Sequence, residues 1–160
     1  MRLLLVCVGR LKAGPERALA ARYIERAAAT GRAIGFSQVD LRELGESRAA
    51  RAEDRKREEA KALAAQIPPR ALVIVLDKTG TQMASREFAA KLGRARDAAI
   101  ADAALVIGGP DGLDAAFLAS ASVTLGLGNM TWPHQLVRIM AAEQIYRAMT
   151  ILSGHPYHRD

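Results

Sequence analysis

The sequence is poor in cysteine, aromatic residues and long apolar runs. Cys7 is the single cysteine, which excludes an intramolecular disulfide and a metal site built from cysteines. Aromatic residues make up 4% of the chain, so the core must be aliphatic. No apolar stretch approaches the roughly 20 residues of a membrane span, and no cleavage site follows the apolar run after Met1. These absences predict a cytoplasmic protein that does not enter a membrane.

The chain carries a net charge of +6 and has a pI of about 10.0. An excess of positive charge favours polyanionic partners such as nucleic acid, although many small basic proteins bind none. Charges of both signs concentrate between residues 48 and 66. This pattern favours a solvated helix with ion pairs on its surface over a stripe that binds RNA.

Five units of a strand followed by a helix can be traced along the 160 residues. Alternation of this kind predicts an α/β fold in which a parallel sheet is covered by helices on both faces. No interdomain linker interrupts the pattern, so residues 1–160 are expected to form one domain. The expected strands are 3–8, 34–41, 71–76, 103–107 and 123–125, and the expected helices are 15–31, 48–66 with Ser47 as its cap, 85–100 with Ser85 as its cap, 113–119 and 133–152.

Loops follow the three C-terminal strands at 77–80, 108–112 and 126–132, and two of them are rich in glycine. Ligands of open parallel sheets bind beyond the carboxyl ends of the strands, so these loops predict a pocket. The dinucleotide and nucleoside-triphosphate fingerprints are both absent, and Lys78 is the only basic residue in the loops. An adenosine-type cofactor without phosphate therefore fits best. The alternative is that the glycines only make tight turns.

All three histidines lie in the last 27 residues, at positions 134, 155 and 158. The spacing of His155 and His158 could suit zinc, but no third ligand of matching type is near, so no metal is expected. Arg147 and Tyr157 join these histidines in a polar, basic C-terminal cluster, which is a candidate for chemistry. Met130, in contrast, is expected to fill the core.

Several segments together resemble the RlmH family of ribosomal RNA methyltransferases, which belongs to the SPOUT class. The resemblance covers the whole chain and is most specific from Gly108 onward. It is carried by Val8–Lys12, Leu76–Gly80, Ser85–Ala89, Val106–Leu113, Met130–Arg138, Glu143–Ala148 and Tyr157–Arg159.

The resemblance implies a fold that composition does not show, an α/β knot in which the C-terminal segment threads through a loop as a trefoil. It also implies a homodimer with the last helix in the interface, and a substrate pseudouridine in 23S rRNA of assembled ribosomes that is methylated at N3. Many family members carry serine where this chain has Gly126 and Gly128. S-adenosylmethionine would be the cofactor, held by Leu76, Gly108, Leu127, Gly128, Asn129, Met130, Thr131 and Trp132.

The imide nitrogen of pseudouridine is a poor nucleophile until it loses its proton, so the site needs a base or a positive charge that stabilises the anion. Candidates for this role are His155, Tyr157, His158 and Arg147. Contacts with RNA phosphates are expected from Arg10, Lys12 and Arg138. Three alternatives remain: a SPOUT enzyme acting on tRNA, a nucleotide-binding module without catalysis, and an RNA-binding protein without enzymatic activity.

Overall fold

A computed structural model describes residues 1–159. Strands and helices alternate from the first residues to the C-terminus, as the sequence predicts. The strands are β1 (Arg2–Val8), β2 (Gln38–Leu44), β3 (Leu72–Gln82), β4 (Asp102–Ile107) and β5 (Val123–Gly126), and the helices are α1 (Pro15–Arg32), α2 (Ala52–Ala64), α3 (Ser85–Asp97), α4 (Ala115–Ser120) and α5 (His134–Ser153).

The five strands form one sheet in the order β2-β1-β4-β3-β5, and every pair is parallel. β1 and β4 lie at the centre and are apolar and buried, because both faces of a parallel sheet are covered. Parallel strands end at the same edge, so the loops after β3, β4 and β5 gather there. The predicted parallel α/β architecture is confirmed.

Helices cover the sheet on both faces and produce two apolar layers. α1, α3 and α5 pack on one face, where Leu5 and Ile74 of the sheet meet Leu92 and Ile145 of the helices. α2 and α4 pack on the other face around Leu63, which is fully buried. Successive side chains of a strand point to opposite faces, so β1 supplies both layers in alternation.

Several boundaries differ from the sequence predictions. The second strand begins at Gln38 rather than at residue 34, because residues 33–37 form the turn that follows α1. β3 runs on to Gln82, through residues that were expected to form a turn. Ser47 does not cap α2, which starts at Ala52, and Ser85 is the first residue of α3 rather than its cap.

β5 pairs with β3 in two registers. Ile74 to Leu76 pair with Val123 to Leu125, and after a break Thr81 and Gln82 pair with Leu125 and Gly126. The two backbones approach so closely at this point that a Cβ atom on Gly80 would lie 2.4 Å from the carbonyl carbon of Leu125. Only glycine fits there, so the composition of the loop allows the crossing.

Candidate functional site

A cleft of about 340 Å³ opens at the carboxyl ends of β3, β4 and β5. The loop Gly108–Leu113 lines one part of it, and residues between Leu125 and His134 line another. Leu76 and Asp77 of β3 also line the cleft. The cleft therefore lies where the sequence places the ligand loops.

The structure brings most of the predicted cofactor residues together around this cleft. Asn129 is the exception, because it does not line the cavity. Gly128 has a φ of +100°, a conformation that L side chains rarely adopt, and open space surrounds its Cα. The predicted residues that do line the cleft are Leu76, Gly108, Leu127, Gly128, Met130, Thr131 and Trp132.

Large apolar side chains are exposed beside the cleft. Met130 is 73% exposed, Trp132 is 38% exposed and Leu136 is 43% exposed. The expectation that Met130 fills the core is therefore wrong, because it lies on a loop at the sheet edge and not in either apolar layer. Clustered apolar groups of this size indicate a surface that a ligand or a second chain covers.

The loop Gly108–Leu113 is held from below by α2, which sequence reasoning treated only as a solvated helix. Arg55 donates two hydrogen bonds to the carboxylate of Asp111, at 2.7 and 3.0 Å. The pKa of Asp111 is lowered, first by this hydrogen bond and then also by the nearby charges of Arg55 and Lys56. The predicted surface ion pairs are present as well, for example between Lys56 and Glu53 at 2.6 Å.

The predicted catalytic residues lie beside the C-terminal half of α5. His155 is exposed and accepts a hydrogen bond from the backbone N–H of Tyr157, whereas Arg147, Tyr157 and His158 form a second cluster. Glu143 is its centre: its Oε1 accepts hydrogen bonds from the Arg147 guanidinium and, at 3.0 Å, from the Tyr157 hydroxyl. Nη1 of Arg147 lies 3.2 Å from Nδ1 of His158. Because a guanidinium only donates, this imidazole nitrogen accepts. Glu143 was missed from sequence, although its spacing of four residues from Arg147 is typical of a helical ion pair.

Tyr157 is built into this cluster by packing as well as by its hydrogen bond. Its ring centroid lies 4.7 Å from that of Tyr146, and the Arg147 guanidinium carbon lies 5.0 Å from it. Burial, followed by hydrogen bonds with Tyr23 and Glu143, raises the pKa of Tyr157. The raised pKa favours the protonated phenol at neutral pH and so argues against Tyr157 as the base.

The cluster and the cleft lie next to each other in one chain. Glu143 lines a second cavity that shares four residues with the cleft, Leu76, Leu125, Leu127 and Gly128. Residues 147, 155, 157 and 158 do not line the cleft, whereas His134, at the other end of α5, does. Thirteen residues separate His134 from Arg147 along the helix, which is about 20 Å at 1.5 Å per residue. Among residues 1–159, no group of three or more histidine, cysteine, aspartate or glutamate side chains could hold a metal ion.

Comparison with known proteins identifies the family. A family model described as "Predicted SPOUT methyltransferase" matches residues 1–158. The chain belongs to this family. A relative from Methylocella silvestris, named ribosomal RNA large subunit methyltransferase H, is 58% identical over 160 residues, which cover 100% of both chains. A relative from Agrobacterium fabrum with the same name is 54% identical over 99% of both chains.

Solved structures agree with the SPOUT fold. A probable methyltransferase from Bordetella pertussis Tohama I matches 92% of this chain and 95% of its own, with a TM-score of 0.50 and 18% sequence identity. At that identity the match supports the fold alone. In residues 1–159 of this SPOUT chain, no helix is long and apolar enough to cross a membrane.

The three residues expected to contact RNA lie in different environments in this SPOUT chain. Arg10 and Lys12 are exposed on the loop after β1, at the same sheet edge as the cleft. Arg138 is 2% exposed, pairs with Glu43, and donates to the carbonyl oxygens of Val8 and Gly9 at 3.1 and 3.2 Å. The structure argues against a phosphate contact for Arg138, because its guanidinium is enclosed and both terminal nitrogens are already bonded.

Proposed function

We propose that this chain is an S-adenosylmethionine-dependent methyltransferase that acts on N3 of a pseudouridine in 23S rRNA of assembled ribosomes. The observation that carries the proposal is the cleft, which the glycine loop after β4 and the segment from Leu125 to His134 line together. The relatives named as large-subunit ribosomal RNA methyltransferases match the chain from end to end. Residues 1–160 would then act as one methyltransferase domain.

The cleft suits the cofactor. Its volume of about 340 Å³ lies within the range of small-molecule sites. Lys78 is the only lysine or arginine among its lining residues in the described part of the chain, as expected for a nucleoside without phosphate. Leu76, Leu127 and Val137 offer apolar surface for an adenosine, and Trp132 offers a ring. When bound there, S-adenosylmethionine supplies an electrophilic methyl group.

We propose that the C-terminal cluster stabilises the deprotonated imide rather than removing the proton. The pKa of Arg147 is raised, first by its hydrogen bond to Glu143, so its positive charge persists at every physiological pH. Nδ1 of His155 accepts from the backbone N–H of Tyr157 at 3.2 Å, and Nδ1 of His158 faces Arg147. A neutral imidazole that accepts at Nδ1 can donate a hydrogen bond from Nε2. Such donors, together with the persistent positive charge of Arg147, favour an anion.

A homodimer would bring the Arg147 side of the cluster to the cleft. Arg147 and the cleft residue His134 lie about 20 Å apart along α5, so a two-fold axis across this helix would place the Arg147 side of the cluster of one protomer beside the cleft of its partner. The exposed Leu136 and the half-buried Met140 follow one face of α5, which suits such an interface. Each active site would then contain residues of both protomers.

Docking on the ribosome would use the basic loop after β1. Arg10 and Lys12 are exposed there, and their charges suit phosphates. The chain would act in the cytoplasm, where ribosomes assemble. All the strands lie in one sheet, which supports a single domain in residues 1–159. The assembled ribosome would then supply much of the docking surface.

We also propose that the chain is knotted. The supporting observation is the break in the pairing of β3 with β5, where residues 77–80 leave the ladder and the two backbones meet at Gly80 and Gly126. A segment that passes through a loop needs this kind of backbone contact, and glycine permits it. Tracing the threading of residues 123–133 in an experimental structure would test the proposal.

The function is tested by transfer of labelled methyl from S-adenosylmethionine to ribosomes from a strain that lacks the modification. Free ribosomal RNA and tRNA are assayed in parallel. Label at one pseudouridine of 23S rRNA in intact ribosomes is the expected result. Label in tRNA would support the proposed methyltransferase activity but would contradict the proposed substrate. No label in any RNA, from folded protein that binds the cofactor, would favour a binding module without catalysis.

A further inference from the structure

Helix α2 carries a buried carboxylate directly beneath the glycine loop of the cleft. Glu59 is 4% exposed, and its Oε1 accepts a hydrogen bond from the backbone N–H of Ser47 at 3.0 Å. Its other oxygen, Oε2, is buried and has no hydrogen-bond partner among residues 1–159. A buried, unsatisfied carboxylate oxygen reduces stability, so a purely structural role does not account for it.

The unpartnered oxygen points at the wall of the cleft. A Cβ atom at position 109 would lie only 2.5 Å from Oε2 of Glu59, so the carboxylate rests against the backbone of Gly109. Gly109 itself lines the cleft. Because position 109 has no side chain, only the backbone of Gly109 separates the Glu59 carboxylate from the cleft.

The neighbouring carboxylates already have partners. Asp111 is held by two hydrogen bonds from Arg55, and Asp77 accepts hydrogen bonds from the backbone N–H and the hydroxyl of Thr79 at 2.9 and 2.6 Å. Glu59 differs from them in being buried and in having an enclosed carboxylate oxygen without a hydrogen-bond partner among residues 1–159. An incompletely compensated negative charge favours a cation nearby.

We propose that Glu59 makes the cleft selective for a cationic methyl donor over the uncharged product. The inference rests on the proposed function. S-adenosylmethionine carries a positive sulfonium, whereas S-adenosylhomocysteine carries a neutral thioether and is otherwise the same molecule apart from the lost methyl group. A negative charge behind the loop stabilises the first selectively, so the methyl donor competes better with the product for the cleft. Glu59 acts across the Gly109 backbone, as a specificity-determining residue rather than a catalytic one.

The test compares dissociation constants by titration calorimetry for S-adenosylmethionine, S-adenosylhomocysteine and sinefungin, in which an ammonium group replaces the sulfonium. Glu59→Gln keeps the shape of the side chain and removes its charge. It should weaken the binding of both cationic ligands on the order of tenfold, which corresponds to about 1.4 kcal/mol. The dissociation constant of S-adenosylhomocysteine should stay within about twofold of the wild-type value. The Tm of Glu59→Gln should not fall, because the substitution removes a buried charge.

Glu58→Gln is the matched control, because Glu58 is the next residue of α2 and is exposed. It makes the same change in net charge and should leave all three constants unchanged. Glu59→Asp keeps the charge. The ratio of the dissociation constants for S-adenosylhomocysteine and S-adenosylmethionine should therefore stay within about threefold of the wild-type ratio, even if both ligands bind more weakly.

If Glu59→Gln weakens the binding of cationic and neutral ligands equally, the inference is overturned, and Glu59 only supports the loop. A selectivity ratio lost in Glu59→Asp would also overturn it, and this variant remains informative if Glu59→Gln does not fold. Wild-type protein that binds none of the three ligands would overturn the proposed function itself, and the inference with it.

Discussion

Replacing Arg138 by methionine should destabilise the protein strongly without acting through RNA. The guanidinium pairs with Glu43 and donates to two carbonyl oxygens at the end of β1, Val8 and Gly9. It thereby fastens the start of α5 to the centre of the sheet. Methionine keeps much of the side-chain volume but removes the Arg138 hydrogen bonds to both carbonyl groups, and it leaves the Glu43 carboxylate with the backbone N–H of Leu11 at 2.9 Å but without its counter-charge.

The magnitude follows from burial. Removing one partner of a buried ion pair costs about 3–5 kcal/mol, because the other charge remains uncompensated. The Arg138 side chain is 3% exposed and that of Glu43 is 18% exposed, so water compensates the glutamate in part and the lower end, about 3 kcal/mol, is expected. For a chain of this length, each kcal/mol lowers the Tm by about 2–4 °C. Arg138→Met should therefore lower the Tm by about 6–12 °C.

Thermal and urea unfolding of Arg138→Met, Glu43→Gln and the double variant would measure this contribution. The double variant should lose less unfolding free energy than the two single variants lose in sum, because each single change leaves the other charged group without its partner. Arg17→Met is the matched control at an exposed arginine and should leave the Tm within about 1 °C. A Tm within about 2 °C of wild type for Arg138→Met, together with lost ribosome binding, would restore the phosphate-contact hypothesis and refute this reasoning.

Three further predictions concern the cleft, the tail and β1. Trp132→Ala should weaken S-adenosylmethionine binding about three- to tenfold in calorimetry, because it removes the ring beside the cleft, and unchanged affinity would contradict its placement. Tyr157→Phe should lower the Tm by a few degrees through loss of the hydrogen bond to Glu143 but keep kcat within about threefold, whereas a loss of about 100-fold or more would indicate a base. Burial raises the pKa of Cys7 to about 12, so the thiol should resist alkylation at pH 8 until urea unfolds the chain. Because the folded pKa exceeds the unfolded one, its stabilising contribution is complete below about pH 9 and should decline towards pH 12, a slope that Cys7→Ala should lack.

The sheet and the cleft were predictable because they depend on local patterns. Apolar runs such as Leu3–Val8 identify buried strands, and glycines after the C-terminal strands identify the ligand edge. The start of the second strand was misplaced because Ile34 and Phe36 continue the apolar pattern. The structure shows why: Phe36 is fully buried from a turn and packs in the layer beneath α1 and α5, so its burial does not require a strand.

The buried charged residues of the helices, Glu59 and Arg138, could not be found in this way, since periodicity does not reveal which charged side chain a helix buries. Glu58 and Glu59 are adjacent and chemically identical, yet only Glu59 turns inward, and its location depends on the separation of α2 from the loop after β4. Arg138 likewise lies in a motif that resembles an RNA contact, but its partner Glu43 lies 95 residues earlier. In each case, packing between residues far apart in the sequence decides whether a charged side chain lies at the surface or in the interior. The resemblance of a motif is therefore good evidence for the cleft as a whole and weaker evidence for the role of one charged side chain.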